Sequence, residues 1–413
     1  MYELLKGIRI IDLTTTFLGP YATQLLGDMG ADIIKVESLS GDIGRYPKPS
    51  RHDGMGAGFL NSNRNKRSIA LDLKHPRGLG VVLKLVEKAD AFVHNMRPKS
   101  AARLGFAYEG LKQVNPSLVY CFAAGFGQNG PYADDPAYDD IIQAMSGFAA
   151  LNSDDKGAPR FIPSIIADKV MGLHLAFAVA SGLVHRLKTT EGCAIEVPMF
   201  ESMAAFLLVE HLAGQSFEPA LGPAGYERLL ARNRRPYRTR DGYVAIMPYT
   251  TQQWTRFLEC ISRADLMALD WVTDPVQRSA NVDALYQIIA DAAPAKTTDE
   301  WLILMKEREI PCGRVNALAD LQAEPHLKAV ALFEGVLHPT EGPLKAVRSP
   351  FRAEGVAAQP DRPAPVLGDS APAILQEAGF GPEEAEALIR DGIVHNGQSG
   401  SSEPSRGFPR SDA

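Results

Sequence analysis

The chain has 413 residues, of which 45% are hydrophobic and 22% are charged, and its formal net charge at pH 7 is −6. This length and composition are typical of a globular protein with one large and one smaller domain. The negative charge argues against a nucleic-acid partner, because neutralising phosphates requires a surplus of Lys and Arg.

The N-terminus and the cysteines indicate where the protein works. The first ten residues carry Glu3, Lys6 and Arg9, where a secretory signal would need its apolar core. No uninterrupted apolar stretch reaches the roughly 18 residues of a membrane-spanning helix. The four cysteines are scattered without the spacing of metal ligands or of a disulfide framework: Cys121, Cys193, Cys260 and Cys312. We therefore expect a cytoplasmic protein with reduced thiols, no metal site and no membrane partner.

Strand-like and helix-like patterns alternate over the first third of the chain. The β-branched runs are GIRIIDLT (7–14), ADIIKVE (31–37), RSIALDL (67–73), DAFVHNM (90–96) and PSLVYCFAAG (116–125). Their alternation with helical segments predicts an α/β fold with a parallel sheet covered on both faces. The first turn reads TTTFLGP in place of GxGxxG, so the predicted domain is Rossmann-like without a site for NAD.

The rest of the chain contains longer helical patterns and two polar segments. Residues 170–188 predict a long, buried core helix, and 199–213 predict another apolar helix. The Gly and Pro content of 214–225 predicts a linker, and 235–249 predicts a hairpin with its turn at Asp241-Gly242. The last stretch has the low hydrophobicity of a disordered tail.

Asp168 stands in SIIADKVMGL, just before the long helical pattern. The local pattern favours a helix N-cap, since Asp accepts hydrogen bonds from the first backbone N–H groups. An ionised Asp is also a nucleophile that can attack an activated acyl group. The two interpretations are compatible, because a helix N-terminus favours the charged carboxylate.

Basic residues cluster at three places, and each cluster has two interpretations. NRNKRSIALDLK and HNMRPKSAARLGF follow or contain predicted strands, and RNRRP lies at 232–236. Such clusters are usually solvated faces. At the carboxyl ends of parallel strands they could instead hold a phosphate-rich small molecule. The residues concerned in the first two segments are Arg64, Lys66, Arg67, Lys74, Arg97, Lys99 and Arg103.

Several segments, taken in order, resemble the class III CoA-transferase family. They include GIRIIDLT with GPYATQLLGDMGADIIKVE, NRNKRSIALDLK, NMRP with RLGF, GFGQNGPY with PAYDDIIQAMSG, IPCGRV and APVLGD. The family includes formyl-CoA, L-carnitine and bile-acid CoA-transferases, with α-methylacyl-CoA racemase as a relative. The resemblance covers the chain from its start to about Val394.

The resemblance implies a chemistry and a set of site residues. Asp168 would be the catalytic nucleophile, forming an aspartyl–acyl anhydride and then an aspartyl–CoA thioester while CoA passes from an acyl-CoA to a carboxylic acid. Coenzyme A would be the cosubstrate, with no metal. Its expected contacts, including two positions where this chain departs from relatives, are Leu71, Lys74, Asn95, Met96, Arg103, Phe17 and Tyr138.

The departures from the family pattern narrow the range of expected substrates and reactions. Formyl-CoA transferase has a glutamine where this chain has Phe17, and its polyglycine loop is absent, so oxalate and formate are disfavoured. The racemase has a histidine where this chain has Tyr138, which disfavours two-base proton exchange. A racemase or epimerase, and a non-catalytic acyl-CoA-binding protein, remain the alternatives. The arginines expected to pair with a second carboxylate, as in succinyl groups, are Arg232, Arg234 and Arg235.

The resemblance also implies an architecture. It predicts a Rossmann-like large domain built from both chain ends, a smaller α+β domain, and an interlocked, ring-like homodimer. We predict the large domain at 1–213 and 346–395, linkers at 214–225 and 326–345, and the small domain at 226–325. The predicted disordered tail is 396–413.

Overall fold

The computed structural model describes residues 1–397, and the chain divides into two compact units. Unit 1 contains Met1–Phe206 and the described chain from Leu332 onward, and unit 2 contains Leu207–Ala331. The segment predicted as a first linker, 214–225, lies inside unit 2. The segment predicted as a second linker contains a helix and most of a β-hairpin. The predicted tail lies outside the described residues from 398 onward.

The strands form three sheets within residues 1–397. In chain order they are β1 (Arg9–Leu13), β2 (Asp32–Ser38), β3 (Lys66–Leu71), β4 (Ala91–His94), β5 (Val119–Ala124), β6 (Cys193–Pro198), β7 (Tyr237–Arg238), β8 (Tyr243–Ile246), β9 (Cys312–Arg314), β10 (Phe333–His338), β11 (Gly342–Val347) and β12 (Val394–His395). Unit 1 is built on a seven-stranded sheet in the order β12-β3-β2-β1-β4-β5-β6, in which β12 alone is antiparallel to its neighbour. This mostly parallel sheet confirms the predicted α/β class.

Helices connect the strands, as a parallel sheet requires. In chain order they are α1 (Leu18–Asp28), α2 (Ala57–Ser62), α3 (Pro76–Glu87), α4 (Pro98–Arg103), α5 (Tyr108–Val114), α6 (Asp139–Met145), α7 (Phe148–Leu151), α8 (Ile166–Thr189), α9 (Met199–His211), α10 (Glu227–Leu230), α11 (Thr251–Cys260), α12 (Asp270–Thr273), α13 (Pro275–Ala280), α14 (Val282–Ala292), α15 (Thr298–Glu307), α16 (Pro325–Ala329), α17 (Ala371–Ala378) and α18 (Pro382–Arg390). Short 3-10 turns lie at Ile43–Arg45, Ala213–Ser216, Ala264–Ala268, Ala293–Ala295 and Leu318–Gln322.

The sheet of unit 1 has a hydrophobic core on each face. Ile10 of β1 belongs to a cluster that includes residues of α1 and α8, whereas Ile11 belongs to a second cluster with residues of α3 and α17. Ile33 and Ile34 of β2 divide in the same way. Successive side chains of a strand point to opposite faces, so continuous apolar runs are what a sheet buried on both faces needs.

Helix α8 has two apolar faces, and only one of them is buried. Met171 and Leu175 are fully buried in the cluster shared with α1, whereas Phe177 is 74% exposed and Leu187 is 69% exposed. The prediction of a buried core helix is therefore right for one face only. By length and composition alone α8 could cross a membrane. It packs against α1, β5 and β6, as the core helix of an α/β unit does.

Unit 2 combines a small antiparallel sheet with helices. Tyr237 pairs with Val244 and Arg238 with Tyr243, which confirms the predicted hairpin and its turn. Strand β9 adds to β8 as the third strand. Helices α11 and α15 each begin with a capping box, in which a Thr side chain and the Gln or Glu three residues later satisfy free backbone N–H groups.

Most residues of the first basic cluster form ion pairs with carboxylates inside unit 1. Lys66 is fully buried and lies 3.1 Å from Asp12, and Arg67 pairs with Asp32 and Glu377. Arg64 pairs with Asp28 and Asp361. These three residues are neither a solvated face nor free to hold a ligand, whereas Lys74 is exposed. Spacing could not distinguish these outcomes, because the carboxylate partners come from other parts of the chain.

Two further buried ion pairs connect β2 with the segment that follows it. Lys35 Nζ is 2.9 Å from Asp42 Oδ2, and both side chains are 0% exposed. Arg45 donates to both carboxylate oxygens of Glu37 at 2.7 Å and lies 3.7 Å from the centre of the Phe59 ring. Burying such charges is costly unless each is paired, so these residues must fold together.

The Arg45–Glu37 pair gives a test of unit 1 stability. Arg45→Met should lower the free energy of unfolding by about 3–5 kcal/mol, because Glu37 would keep a buried charge without its cation. Chemical denaturation followed by circular dichroism measures this change. The control is Lys48→Met, which breaks an ion pair with Asp53 that is largely exposed and should change stability little. Equal midpoints for the two variants would contradict the argument.

Candidate active site

A cavity of about 240 Å³ opens in unit 1 at the carboxyl ends of β1, β4 and β5. Its wall is formed by the loops that follow these strands and by the start of α8. The residues that matter below are Thr15, Thr16, Asn95, Arg97, Gly125, Tyr138 and Asp168. The carboxyl edge of a parallel sheet is where α/β proteins bind ligands, because the connecting loops diverge there.

Asp168 lies on the wall of this cavity and is partly exposed. It is the third residue of α8, and the N-cap position is Ile165, which makes no side-chain cap. The N-cap prediction for Asp168 is therefore wrong. Its backbone N–H donates to Asp139 Oδ1 at 2.9 Å, and Gln143 donates to the other oxygen of Asp139 at 2.6 Å. The Asp168 side chain makes no hydrogen bond of its own within residues 1–397 that would divert it from the cavity.

The surroundings of Asp168 disfavour its ionised form. Burial raises the pKa of Asp168 to about 7, and the neighbouring charge of Asp139 raises it in the same direction. The sequence predicts that the helix N-terminus favours the charged carboxylate. The structure instead indicates a carboxyl group that changes its protonation near neutral pH. Perturbation of this kind, beside a cavity, is typical of functional carboxylates.

The loop after β1 is fixed by side chains from two other segments. Thr15 N–H donates to Asn95 Oδ1 and Asn95 Nδ2 donates to Thr15 O, both at 2.9 Å. Thr16 N–H donates to Asp42 Oδ1 at 2.8 Å, which holds Thr16 at a φ of 72°. Asn95, predicted as a CoA contact, thus already uses its amide to position the cavity wall. Sequence reasoning missed the role of Asp42.

The remaining predicted CoA contacts differ in accessibility. Lys74 and Arg103 are exposed, and Arg103 donates to Ser100 at 3.2 Å. Met96 is partly buried against the core, and Leu71 is fully buried within it. A contact with Leu71 is therefore limited to its backbone.

The positions at which this chain departs from its predicted relatives also lie near the cavity. Phe17 precedes α1, and its ring covers Gly58, where a Cβ would be 2.8 Å from the ring. Tyr138 lines the cavity and is 69% exposed. Arg97, which belongs to the second predicted basic cluster, lines it as well.

The arginines predicted to bind a second carboxylate belong to unit 2. Arg232, Arg234 and Arg235 are all exposed. The cavity found in unit 2 is lined by two other arginines, Arg228 and Arg278. Among residues 1–397, no group of three or more His, Cys, Asp or Glu side chains has the arrangement of a metal site.

Comparisons with known proteins show which family this chain resembles. A succinyl-CoA:glutarate CoA-transferase from Mus musculus is 31% identical over 395 residues, which cover 94% of this chain and 90% of the relative. A formyl-CoA:oxalate CoA-transferase from Rhodopseudomonas palustris (strain BisA53) is 28% identical, covering 95% of this chain and 98% of the relative. A crystal structure of a CaiB/BaiF family protein from Brucella suis matches with a TM-score of 0.77 at 28% identity, covering 92% of this chain and 100% of that one.

The family model extends over most of the chain. The model described as CoA-transferase family III matches residues 5–371, which include the sheet edge, the cavity and Asp168. This match confirms the resemblance inferred from the sequence, and its relatives act on acyl-CoA and carboxylate substrates. The chain is therefore a CoA-transferase that belongs to CoA-transferase family III.

Proposed function

We propose that this enzyme transfers CoA from an acyl-CoA to a carboxylic acid with Asp168 as the covalent nucleophile. The observation that carries the proposal is the position of Asp168: a partly exposed carboxyl group on the wall of a cavity at the carboxyl edge of the sheet. The backbone N–H of Asp168 donates to Asp139, and this hydrogen bond fixes the first turn of α8, which carries the carboxyl group. A nucleophile must be accessible and positioned in this way.

The proposed first half-reaction makes two covalent intermediates. An ionised oxygen of Asp168 attacks the thioester carbonyl of the donor, the C–S bond breaks, and a mixed anhydride and CoA thiolate form. The thiolate then attacks the aspartyl carbonyl of the anhydride. The donor acid leaves as a carboxylate, and Asp168 becomes a thioester of CoA.

The second half-reaction is the reverse with a different acid. The acceptor carboxylate attacks the aspartyl thioester, which gives a new anhydride and releases CoA thiolate. The thiolate attacks the acceptor's carbonyl carbon, and acyl-CoA leaves while Asp168 regains its carboxylate. An activated acyl bond is kept at every stage, so no external energy source is required.

The proposed substrates are dicarboxylic, with succinyl-CoA as the donor. The mouse relative is named for succinyl-CoA and glutarate, and Phe17 and the absence of a polyglycine loop argue against oxalate and formate. Pairing of the second carboxylate with Arg232, Arg234 or Arg235 stays a prediction. Tyr138, in the position of the racemase histidine, disfavours the alternative of acyl-CoA epimerisation.

We also propose the interlocked homodimer, with a Rossmann-like large domain and a small α+β domain in each chain. Its support is the outward apolar face of α8, where the exposed side chains recur at helical spacing: Leu173, Phe177, Val184 and Leu187. Single chains seldom leave so much contiguous apolar surface in water, and such surfaces typically form interfaces. A cytoplasmic location is proposed from the four free cysteines.

Removing the nucleophile tests the mechanism directly. Asp168→Asn should lower transfer between succinyl-CoA and glutarate by roughly 10³-fold or more, since the amide cannot form the anhydride. Mass spectrometry of the CoA esters measures the rate. Asp140→Asn is the matched control, because Asp140 is an exposed carboxylate on α6 and its removal should leave the rate unchanged. Full activity in Asp168→Asn would end the proposal, as would the absence of a hydroxylamine-trapped adduct in the unaltered enzyme.

The raised pKa predicts the pH dependence of the reaction. Asp168 must be ionised to attack, and its pKa is about 7, so kcat/KM should fall as the pH is lowered through this value. Asp139→Asn removes one cause of the shift while keeping an oxygen that can accept the Asp168 N–H. The acidic limb should then move to lower pH. A limb that stays at the same pH in Asp139→Asn would contradict the assignment.

The predicted phosphate contacts should affect binding and not the chemical step. Arg103→Ala is expected to raise KM for succinyl-CoA about tenfold with kcat nearly unchanged, because one charge-assisted hydrogen bond contributes about 1.5–3 kcal/mol. Steady-state kinetics at two salt concentrations measure the effect. Lys84→Ala removes an exposed cation of α3 that pairs with Glu87 and serves as the control. An equal response of both variants would exclude the contact at Arg103.

A further inference from the structure

Unit 2 contains a second cavity, of about 170 Å³, that the proposed chemistry does not use. It is smaller than the roughly 300–1,000 Å³ of pockets for drug-sized ligands. Two arginines and several aromatic side chains form its wall. The residues used below are Arg228, Tyr249, Trp254, Arg278, Val282 and Tyr286.

Arg278 brings a nearly buried positive charge to this cavity. Only 8% of the residue is exposed, and Nη1 donates to Thr251 Oγ1 and to Val272 O, both at 2.9 Å. Both acceptors are neutral, and within residues 1–397 no carboxylate lies within 4.0 Å of this guanidinium. Burial lowers the pKa of Arg278, and the nearby Asp274 opposes this change only in part. Asp274 accepts the Val276 and Gln277 N–H groups.

Arg228 brings a second cation with neutral partners. Its Nε donates to the Tyr286 hydroxyl at 3.0 Å, and its guanidinium lies 4.4 Å from the centre of the Tyr249 ring. In the described part of the chain, no carboxylate forms an ion pair with it at 4.0 Å or less. Arg228 is partly buried, and arginines in structural roles generally pair with carboxylates when they are withdrawn from water.

Two guanidinium groups therefore line one small cavity, and in residues 1–397 neither has a carboxylate within 4.0 Å. We propose that unit 2 contains a binding site for a short-chain carboxylate, held by Arg228 and Arg278. The fork of N–H donors on arginine matches a carboxylate. The apolar surfaces of Trp254, Val282 and the tyrosine rings suit the methylene groups of such an acid better than they suit inorganic phosphate.

This proposal is independent of Asp168 as the nucleophile. All the lining residues belong to unit 2, and the argument uses charge and burial there. Binding can consequently be measured in the full-length Asp168→Asn protein, in which transfer is expected to be lost. Failure of the carboxylate site and failure of the transfer mechanism are then separate results.

The experiment is calorimetric titration of full-length Asp168→Asn with succinate, glutarate and inorganic phosphate. Arg228→Gln and Arg278→Lys are each added to this background. Arg278→Lys keeps the positive charge whereas Arg228→Gln removes it, so the two variants would not lose their fold for the same reason. Thermal unfolding is measured for each variant. The matched control is Arg263→Gln, since Arg263 is an exposed arginine of unit 2 that pairs with Asp265.

We expect succinate or glutarate to bind, and Arg228→Gln to weaken that binding at least tenfold while Arg263→Gln leaves it unchanged. Arg278→Lys should weaken it as well, because a point charge replaces the planar fork. Unchanged affinity in a folded Arg228→Gln and a folded Arg278→Lys would overturn the proposal. Phosphate binding as tightly as either dicarboxylate would overturn it too, since the apolar wall would then contribute nothing.

Discussion

The cavity of unit 1 depends on how the loop after β1 is held. Thr16 has a left-handed backbone, which costs free energy for a residue with a branched side chain. Asp42 accepts its N–H and is itself paired with the fully buried Lys35. Lys35 also donates to Thr14 O at 2.8 Å. A strained loop at the site is thus fixed by a charge pair that solvent cannot weaken, because the side chains are removed from water.

Pairing with a cation also separates the carboxyl groups of unit 1 into two kinds. Asp12 and Asp42 are buried but are matched with Lys66 and Lys35. Asp168 is near another carboxylate, Asp139, and has no cation within 4.0 Å in residues 1–397. Paired carboxylates stabilise the framework, whereas the ionised form of Asp168, the proposed nucleophile, is disfavoured by burial and by Asp139. The framework carboxylates and the candidate-site carboxyl group therefore differ in whether a cation balances their charge.

The sequence was sufficient to predict the sheet, because its strands are buried on both faces and read as continuous apolar runs. It was insufficient for properties that depend on distant partners. Asp168 looked like a cap because capping is judged locally, yet α8 begins three residues earlier than that pattern implied. For Lys66 and Arg67 the sequence allows a solvated face or a ligand site, and it does not reveal their ion pairs because Asp12 and Glu377 lie far away in the chain. The predicted nucleophile itself came from the family resemblance, which contains information that local pattern does not.

Charge balance also distinguishes two arginines of unit 2 from the arginines beside the sheet of unit 1. In unit 1 the arginines beside the sheet have carboxylate partners: Arg45 with Glu37, Arg64 with Asp28, and Arg67 with Asp32. In unit 2, Arg228 and Arg278 have tyrosine, threonine and backbone oxygen partners instead. Neutral partners satisfy hydrogen bonding but do not neutralise the charge, and Asp274 offsets the burial of Arg278 only in part. Two neighbouring arginines without carboxylate partners favour the binding of an anion. Carboxylates, the substrates of this enzyme family, are anions of the required kind.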